Sequence, residues 1–180
     1  MIVYSPPPDL GSTVCYADDW LIVADKPSGL LSVPGRGPDK ADCLVARVQR
    51  EFADALTVHR LDMSTSGLIL LGRGAEMQSH FSRLFRERLV DKSYVALVAG
   101  LLADDAGEVD LPMIVDWPNR PRQMVNFEIG KPSLTRYRVL ERDAAQQTTR
   151  VALEPVTGRS HQLRVHMAAL GHPILGDELY

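Results

Sequence analysis

The sequence is poor in cysteine and contains none of the short motifs that hold metals or nucleotides. Its two cysteines, Cys15 and Cys43, stand alone, so they offer neither a disulfide framework nor the paired spacing of a metal site. An H-E-x-x-H pattern and a glycine-rich phosphate loop are both missing from the sequence. We therefore expect a protein that uses neither a metal nor a cofactor.

Long apolar runs are also missing. No stretch approaches the length that a membrane-spanning helix needs, so we expect no membrane partner. The first ten residues lack the basic and then apolar regions of a secretory signal, which favours a cytoplasmic location. What is present, 45% hydrophobic and 24% charged residues over 180 positions, is typical of one globular domain.

The sequence has little net charge. A formal charge of −3 argues against a protein that binds every polyanion. The basic residues are nevertheless clustered in two segments, Arg83, Arg86, Arg88 and Lys92 in the first, and Arg120, Arg122, Lys131, Arg136 and Arg138 in the second. Each cluster taken alone fits a phosphate-binding surface and a solvated face equally well.

One polar block precedes a short apolar run that has strand character. The block reads H-R-L-D-M-S-T-S-G over residues 59–67, and the run extends from Leu68 to Leu71. Asp62 would therefore lie on a loop that enters a strand, where rigid scaffolds hold catalytic groups. An isolated aspartate in such a loop more often only caps a turn. Both interpretations are open on these residues alone.

The remaining pattern predicts a strand-rich chain with three helices. Residues 1–12 form an irregular, proline-rich lead-in, and a β-hairpin is expected over 13–24. Helices are indicated over 42–52 with Asp42 as N-cap, from Gly74 to about Leu89, and over 160–170 with Ser160 as N-cap. Further strands are indicated over 91–98, 134–140 and 148–154. Because β-α-β alternations are few, the pattern favours an α/β domain of the α+β kind.

Proline spacing sets one long segment apart. Residues 107–126 contain three prolines, so we expect an ordered but irregular, protruding loop there. Trp117, Arg120 and Arg122 in this segment could stack on bases and pair with phosphates. A structural Trp117, packed beneath the loop, is an equally good interpretation.

The last block reads T-G-R-S-H-Q-L-R-V-H-M over residues 157–167. His161 and His166 lie five positions apart, which is the wrong spacing for two ligands on one face of a helix. No metal site is therefore expected at these two histidines. Tyr94, in an earlier predicted strand, is most simply a half-buried strand tyrosine.

Three segments together resemble the RluA family of RNA pseudouridine synthases. They are the 59–67 block together with Leu68, K-x-Y-x-A at 92–96 and G-R-x-H-Q-L-R-x-H at 158–166, and K-P-x-G-L at 26–30 also fits. The resemblance spans residues 20–180. It implies that Asp62 is catalytic, that Tyr94 lies against a flipped base, and that Arg164 pairs with the catalytic aspartate.

The resemblance also implies contacts with a substrate. Leu163 would pack beside the base, and Arg60 would fill the space that the base leaves or hold a phosphate. The other expected substrate-binding residues are His59 and Arg159 from the two blocks, and Trp117, Arg120 and Arg122 from the proline-rich segment.

The implied reaction is the isomerisation of uridine to pseudouridine in RNA, and it needs no cofactor. A carboxylate suits this reaction because cleavage of a glycosidic bond builds positive charge on the sugar. A stacked uridine is out of reach, so it has to be flipped out. Residues 116–121 and 130–132 are most similar to the dual-specificity member after which the family is named. That similarity implies a 23S rRNA stem-loop, a tRNA anticodon stem-loop, or both as partners. We also expect a monomer without an obligatory protein partner.

For the fold, the resemblance implies a long, bent, mixed and mostly antiparallel sheet flanked by helices. Residues 13–180 would form the catalytic domain, without an S4-like RNA-binding domain. Family members continue past the position of Tyr180 through an L-H-A motif and another strand, so we expect the domain to be truncated at its C-terminus.

Two other functions compete with this hypothesis. A non-catalytic RNA-binding or assembly module could keep the fold, and a base glycosylase could use Asp62 with water. The glycosylase would release free uracil, whereas a synthase releases none. The sequence leaves open whether Asp62 attacks the sugar, attacks the base or acts as a general base.

Overall fold

The computed structural model describes residues 4–11 and 13–180, in two compact units, residues 1–90 and 91–180. The described part of the lead-in, 4–11, contains no helix or strand, and the prediction for 1–3 and 12 lies outside the described residues. None of the described helices is long and apolar enough to cross a membrane. The predicted fold class, α/β of the α+β kind, is confirmed. The described part of the chain contains both strands and helices, every ladder between its strands is antiparallel, and its helices are few.

The first unit is built on a four-stranded sheet. Its elements are β1 (Val14–Ala17), β2 (Leu21–Lys26), a short 3-10 helix (Pro38–Lys40), α1 (Leu44–Val48), β3 (Ala55–Thr57), β4 (Gly67–Arg73) and α2 (Gly74–Arg86). The strand order is β1-β2-β4-β3, so β2 and β4 are central. Their inward positions are apolar and buried at Ile22, Ala24, Ile69 and Leu71, as the alternation of a half-buried strand requires.

Helix α2 packs closely against the sheet of this unit. It contacts β3 and β4, and a β-carbon at Gly72 would lie 2.5 Å from the backbone nitrogen of Gln78. Glycine is therefore required at this point of close approach. Strand β4 continues through Gly72 to Arg73, and the helix begins at once at Gly74.

The second unit contains a second four-stranded sheet and a separate hairpin. Its elements are β5 (Tyr94–Ala99), β6 (Ala106–Asp110), β7 (Met113–Val115), β8 (Gln123–Val125), β9 (Leu134–Asp143), β10 (Thr148–Pro155) and α3 (Gln162–Ala169). The sheet order is β5-β10-β9-β6, and β7 pairs with β8. Its apolar core consists of Val98, Leu102, Val151, Leu153 and Met167, so α3 closes one side of the cluster.

The segment 107–126 is more regular than its prolines predict. Strands β6, β7 and β8 occupy half of it. Pro112 separates β6 from β7, while Pro118 and Pro121 lie in the connection from β7 to β8. Proline is compatible with strands at such positions, because it interrupts no ladder hydrogen bond there.

Two predicted helix caps were wrong. Asp42 does not cap α1, whose N-cap is Cys43; the Asp42 carboxylate instead accepts two hydrogen bonds from Arg47, at 2.9 and 2.7 Å. Ser160 does not cap α3, because His161 takes the N-cap position in a left-handed conformation with φ 57°. The side chain of Gln162, in the first turn of α3, instead binds the residues that precede the helix.

Candidate active site

The block 59–67 of the first unit forms a loop that ends at β4. Asp62 is half-buried in this loop. Its carbonyl oxygen accepts a hydrogen bond from the Thr65 N–H at 3.1 Å, which closes a turn before the strand begins. The carboxylate is thus presented from the turn that leads into the central strand of a rigid sheet.

A second loop, 26–32, holds the backbone on both sides of Asp62. The Ser32 hydroxyl donates to the Leu61 carbonyl at 2.7 Å and accepts from the Leu61 N–H at 3.1 Å. The Gly29 N–H donates to the Met63 carbonyl at 2.8 Å, and the Ser28 hydroxyl donates to the Ser64 carbonyl at 2.7 Å. Because these hydrogen bonds hold the backbone both before and after Asp62, they fix the position of the Asp62 backbone relative to the 26–32 loop.

Lys26 secures the same junction from inside the unit. Its side chain is completely buried, and its ammonium donates to the carbonyls of Pro27 at 3.0 Å, Leu30 at 2.7 Å and Met63 at 3.0 Å. Burial lowers the pKa of Lys26 to about 8, and the negative charge of Asp62 acts in the opposite direction. A positive charge is therefore held close enough to Asp62 for the two to attract each other.

His59 and Arg60, both predicted to bind substrate, have different surroundings. The His59 ring stacks on Phe85 of α2, with 4.2 Å between centroids, and its Nε2 accepts the Leu70 N–H at 2.9 Å. His59 thus ties the loop to α2 and β4. Arg60 is exposed to solvent and able to meet a ligand.

In the second unit, Arg164 projects from α3 into a nearly dry ion pair. Its guanidinium donates two hydrogen bonds to the Asp177 carboxylate, at 2.6 and 2.7 Å, and the two side chains are only 11% and 4% exposed. Burial raises the pKa of Asp177, but the hydrogen bonds from Arg164 and the Leu179 N–H outweigh burial, so the net shift is downward. Both groups stay charged, and the fork fixes the plane of the guanidinium.

Tyr180 connects this ion pair to the β7–β8 hairpin. Its hydroxyl accepts the Gln123 N–H at 2.7 Å and lies 2.7 Å from Nδ1 of His161. The guanidinium carbons of Arg164 and Arg122 lie 5.2 and 5.1 Å from the centre of its ring. The structure thus gathers two predicted site residues, Arg122 and Arg164, around one aromatic ring.

Tyr94 and Leu163 pack against the same apolar core. Tyr94 begins β5, Leu163 lies in the first turn of α3, and both pack, partly buried, against the apolar core of the second unit. Such a position leaves part of each side chain accessible and restrains the rest by packing.

Trp117 and Arg120 lie in the connection between β7 and β8. Trp117 is 62% exposed, which rules out the structural plug. The Arg120 guanidinium lies 4.4 Å from the centre of its ring. Arg159 is exposed too, with weak hydrogen bonds to the Pro132 carbonyl at 3.3 and 3.4 Å. These cationic and aromatic groups are open to a large ligand.

Gln162 and His166, named in the motif but given no role, hold α3 in place. The Gln162 amide oxygen accepts from the Thr157 hydroxyl at 2.7 Å and from the Arg159 N–H at 3.0 Å. The imidazole of His166 is completely buried between the Thr135 hydroxyl, 2.9 Å from Nδ1, and the Leu111 carbonyl, 3.0 Å from Nε2. The carbonyl can only accept, so Nε2 carries the proton and Nδ1 accepts from Thr135.

Sequence reasoning missed three further residues of these arrangements: Lys26, Asp177 and Tyr180. The one available signal was the K-P-S-G-L segment at 26–30, which fits the family pattern but names no partner for Lys26. The described residues contain no group of three histidine, cysteine or acidic side chains placed to bind a metal.

The comparison with known proteins decides the family. A family model described as RNA pseudouridylate synthase matches residues 20–169. The chain belongs to this family. A relative from Vibrio cholerae, dual-specificity RNA pseudouridine synthase RluA, is 54% identical over 180 residues, all of this chain and 73% of the relative. The protein of the same name from Escherichia coli K12 is 53% identical over 177 residues, 98% of this chain and 80% of the relative.

A solved structure of a family member agrees with the fold. The structure of human RNA pseudouridylate synthase domain containing 1 has a TM-score of 0.80 and 30% sequence identity, and the match covers 98% of this chain and 72% of that one. The chain is therefore an RNA pseudouridine synthase, an isomerase that acts on RNA, as the motifs predicted. The non-catalytic alternative is not favoured.

Proposed function

We propose that this pseudouridine synthase modifies a uridine in a 23S rRNA stem-loop, a uridine in a tRNA anticodon stem-loop, or both. The supporting observation is the 54% identity over the whole chain to a relative named as a dual-specificity enzyme. We also propose that it works in the cytoplasm as a monomer, without an obligatory protein partner.

Asp62 is proposed as the catalytic residue. Its support from the structure is the way in which hydrogen bonds fix the backbone at Leu61, Met63 and Ser64, since a reacting carboxylate has to be placed within a fraction of an ångström. Cleavage of the C1′–N1 bond leaves positive charge on the ribose, which this carboxylate can stabilise or trap. The detached base then turns, C1′ joins C5, and the hydrogen on C5 leaves as a proton.

Tyr94 and Arg164 complete the proposed catalytic set. A tyrosine can present its ring to the flipped base and move a proton through its hydroxyl. Arg164, whose positive charge the resemblance assigns to the catalytic aspartate, is kept oriented by Asp177. The proposed substrate-binding residues are His59, Arg60, Trp117, Arg120, Arg122, Arg159 and Leu163.

The release of tritium from RNA labelled at C5 of uridine tests the role of Asp62. We expect release by the parent chain and by Asp25→Ala, a control that removes an exposed aspartate of the same unit. We expect none by Asp62→Ala or Asp62→Asn, with RNA binding still measurable in both. Turnover by Asp62→Asn would remove Asp62 from the catalytic role.

Separate labelled transcripts test the proposed targets. We expect release from the tRNA anticodon stem-loop, from the 23S rRNA stem-loop, or from both, and no free uracil from either. Uracil in the supernatant would point to hydrolysis instead of isomerisation. Release only from other RNA fragments would contradict the proposed targets and leave the synthase activity intact.

A further inference from the structure

Helix α2 runs alongside the segment that leads into the Asp62 loop. Its side chains meet three successive residues: Gln78 Nε2 donates to the Thr57 carbonyl at 3.1 Å, the Ser82 hydroxyl to the Val58 carbonyl at 3.5 Å, and Phe85 stacks on His59. Because these positions lie on one side of a helix, the contacts advance one residue per turn. The C-terminal end of α2 is therefore next to the start of the catalytic loop, beside the exposed Arg60.

The other side of this end is exposed and basic. Arg83, Arg86 and Arg88 are all exposed, and His80 precedes them on the same helix. Among the described residues, the side chains of Arg86 and Arg88 have no carboxylate partner, and Arg83 has only His80, at 3.5 Å. Other arginines are paired with acids, namely Arg47, Arg50, Arg73, Arg136, Arg142 and Arg164. The guanidinium groups of this face are thus open to solvent and to a ligand.

Arg88 is also an unfavourable residue for its backbone conformation. Its φ is 60°, in the left-handed region that glycine adopts most easily at the end of a helix. The Leu89 N–H bonds to the Leu84 carbonyl at 2.9 Å across it, as in the usual glycine-terminated helix end. Glycine would be the more stable residue at this position. The presence of an arginine therefore draws attention to its guanidinium group.

We propose that Arg83, Arg86 and Arg88 form a phosphate-binding face for the RNA strand that leads to the reacting uridine. The proposal rests on the RNA substrate of the proposed function. Guanidinium groups match phosphate oxygens with two parallel hydrogen bonds, and they act locally even when the whole chain has a net charge of −3. The face borders the catalytic loop, so bound phosphates there would bring a neighbouring nucleotide towards Asp62.

Salt dependence of RNA binding tests the proposal. The probe is a stem-loop transcript on which the chain forms pseudouridine, and its dissociation constant is measured from 50 to 300 mM salt. For Arg83→Gln/Arg86→Gln we expect affinity about tenfold weaker and a log–log salt slope shallower by about 1.5, since two phosphate contacts are lost. The rate at saturating RNA should stay within about twofold of the parent rate, because neither residue belongs to the proposed catalytic set.

The control is Arg36→Gln/Arg50→Gln, which removes the same charge from exposed positions of the same unit. We expect its affinity and slope to stay within about twofold of the parent values. Equal losses in the control would reduce the effect to net charge and overturn the proposal. An unchanged slope in Arg83→Gln/Arg86→Gln, or a lower saturated rate with unchanged affinity, would overturn it too.

Arg88→Gly separates binding from stability. We expect this variant to unfold at a temperature higher by about 2 to 4 °C, because glycine relieves the left-handed backbone. We expect it at the same time to bind the transcript about threefold more weakly. A more stable variant that binds RNA as tightly as the parent would remove Arg88 from the face.

Discussion

The amino group of Lys26 is costly to bury, because a charged group loses its hydration. Three carbonyl oxygens compensate it, two from its own loop and one from Met63, thirty-seven residues away. The bond to Met63 is the important one, since that residue follows Asp62 directly. One side chain therefore locks the 26–32 loop and the catalytic loop in a fixed arrangement, and the attraction between Lys26 and Asp62 adds to it.

Lys26→Met tests this positioning. Methionine fills a similar volume but donates no hydrogen bond, so the Met63 carbonyl and its loop lose their anchor. We expect kcat for pseudouridine formation to fall about 10- to 100-fold with a smaller change in KM, because small displacements of a reacting group are expensive. The control is Lys40→Met, the same change at a partly exposed lysine of the first unit, which should leave kcat within about twofold. An unchanged kcat in Lys26→Met would show that the loop needs no such anchor.

The sequence was informative about individual residues where a short motif carries the chemistry. It singled out Asp62, Tyr94 and Arg164, whose roles remain proposals, and it placed them on a loop, a strand and a helix, as found. Lys26, Asp177 and Tyr180 could not be given roles in the same way. Their functions depend on partners far along the chain, and the partner atoms are often backbone groups, which leave no trace in local sequence.

Elements were predicted best where one periodicity dominates. The first hairpin, α2 and β10 follow their apolar patterns closely. Elements whose local capping or proline pattern pointed to a different structure were predicted less well. Helix α1 has five residues where eleven were expected: it begins after Cys43, since Asp42 pairs with Arg47 instead of capping, and it already ends at Val48. Strands β7 and β8 form beside prolines because the prolines fall in the connections.

The segment after α3 is held in place by both backbone hydrogen bonds and a side-chain ion pair. The Ala99 N–H donates to the Pro173 carbonyl at 2.9 Å and the Leu175 N–H to the Leu97 carbonyl at 2.8 Å, which attaches the segment to β5. Beyond these bonds, the Asp177–Arg164 pair fastens it to α3. The segment thus connects a strand, a helix and, through Tyr180, the β7–β8 hairpin.

Asp177→Asn tests the buried ion pair. The change keeps the shape of the side chain but removes its charge, so the two charge-assisted hydrogen bonds from Arg164 are weakened in a nearly dry site. We expect the free energy of unfolding to fall by about 2 to 4 kcal/mol in urea titrations. The matched control is Asp54→Asn, which breaks a pair with Arg73 at a site where Asp54 is 45% exposed, and its cost should be clearly smaller because solvent screens an exposed pair. Equal costs for the two variants would contradict a special role for the buried pair.

For the whole molecule, the class of fold followed from the abundance of alternating strands and the scarcity of helices, while the family added the likeness to solved synthases. Sheet order did not follow from the pattern. The neighbours β2 and β4, and likewise β5 and β10, are far apart in sequence, and such pairings depend on tertiary contacts more than on local preference.

Stability of the whole chain in acid depends on groups whose pKa values folding has shifted. Burial lowers the pKa of His166 below its ordinary value of 6.5, while the Leu111 carbonyl and the charge of Asp110 act in the opposite direction. Below pH 6.5 the unfolded chain binds a proton at this position before the folded chain does, so the folded state loses stability as the pH falls. Asp177 acts at lower pH, because its lowered pKa stabilises the fold above about pH 4 and that stabilisation is lost as the pH falls through the folded value.

We therefore expect a two-step loss of stability on acidification, and His166→Gln isolates the first step. Between pH 7 and 5 the urea midpoint of the parent should fall, whereas that of His166→Gln should be lower at pH 7 and change less with pH, because glutamine binds no proton. The control is His80→Gln on the exposed face of α2, which should keep the pH dependence of the parent. If His166→Gln does not fold, ¹⁵N spectra of the parent imidazoles provide the same test, since the pKa of His166 should lie below the ordinary value of 6.5. A His166 that takes up its proton at or above pH 6.5 would contradict the argument, because the buried imidazole could then not be the group whose protonation destabilises the fold as the pH falls.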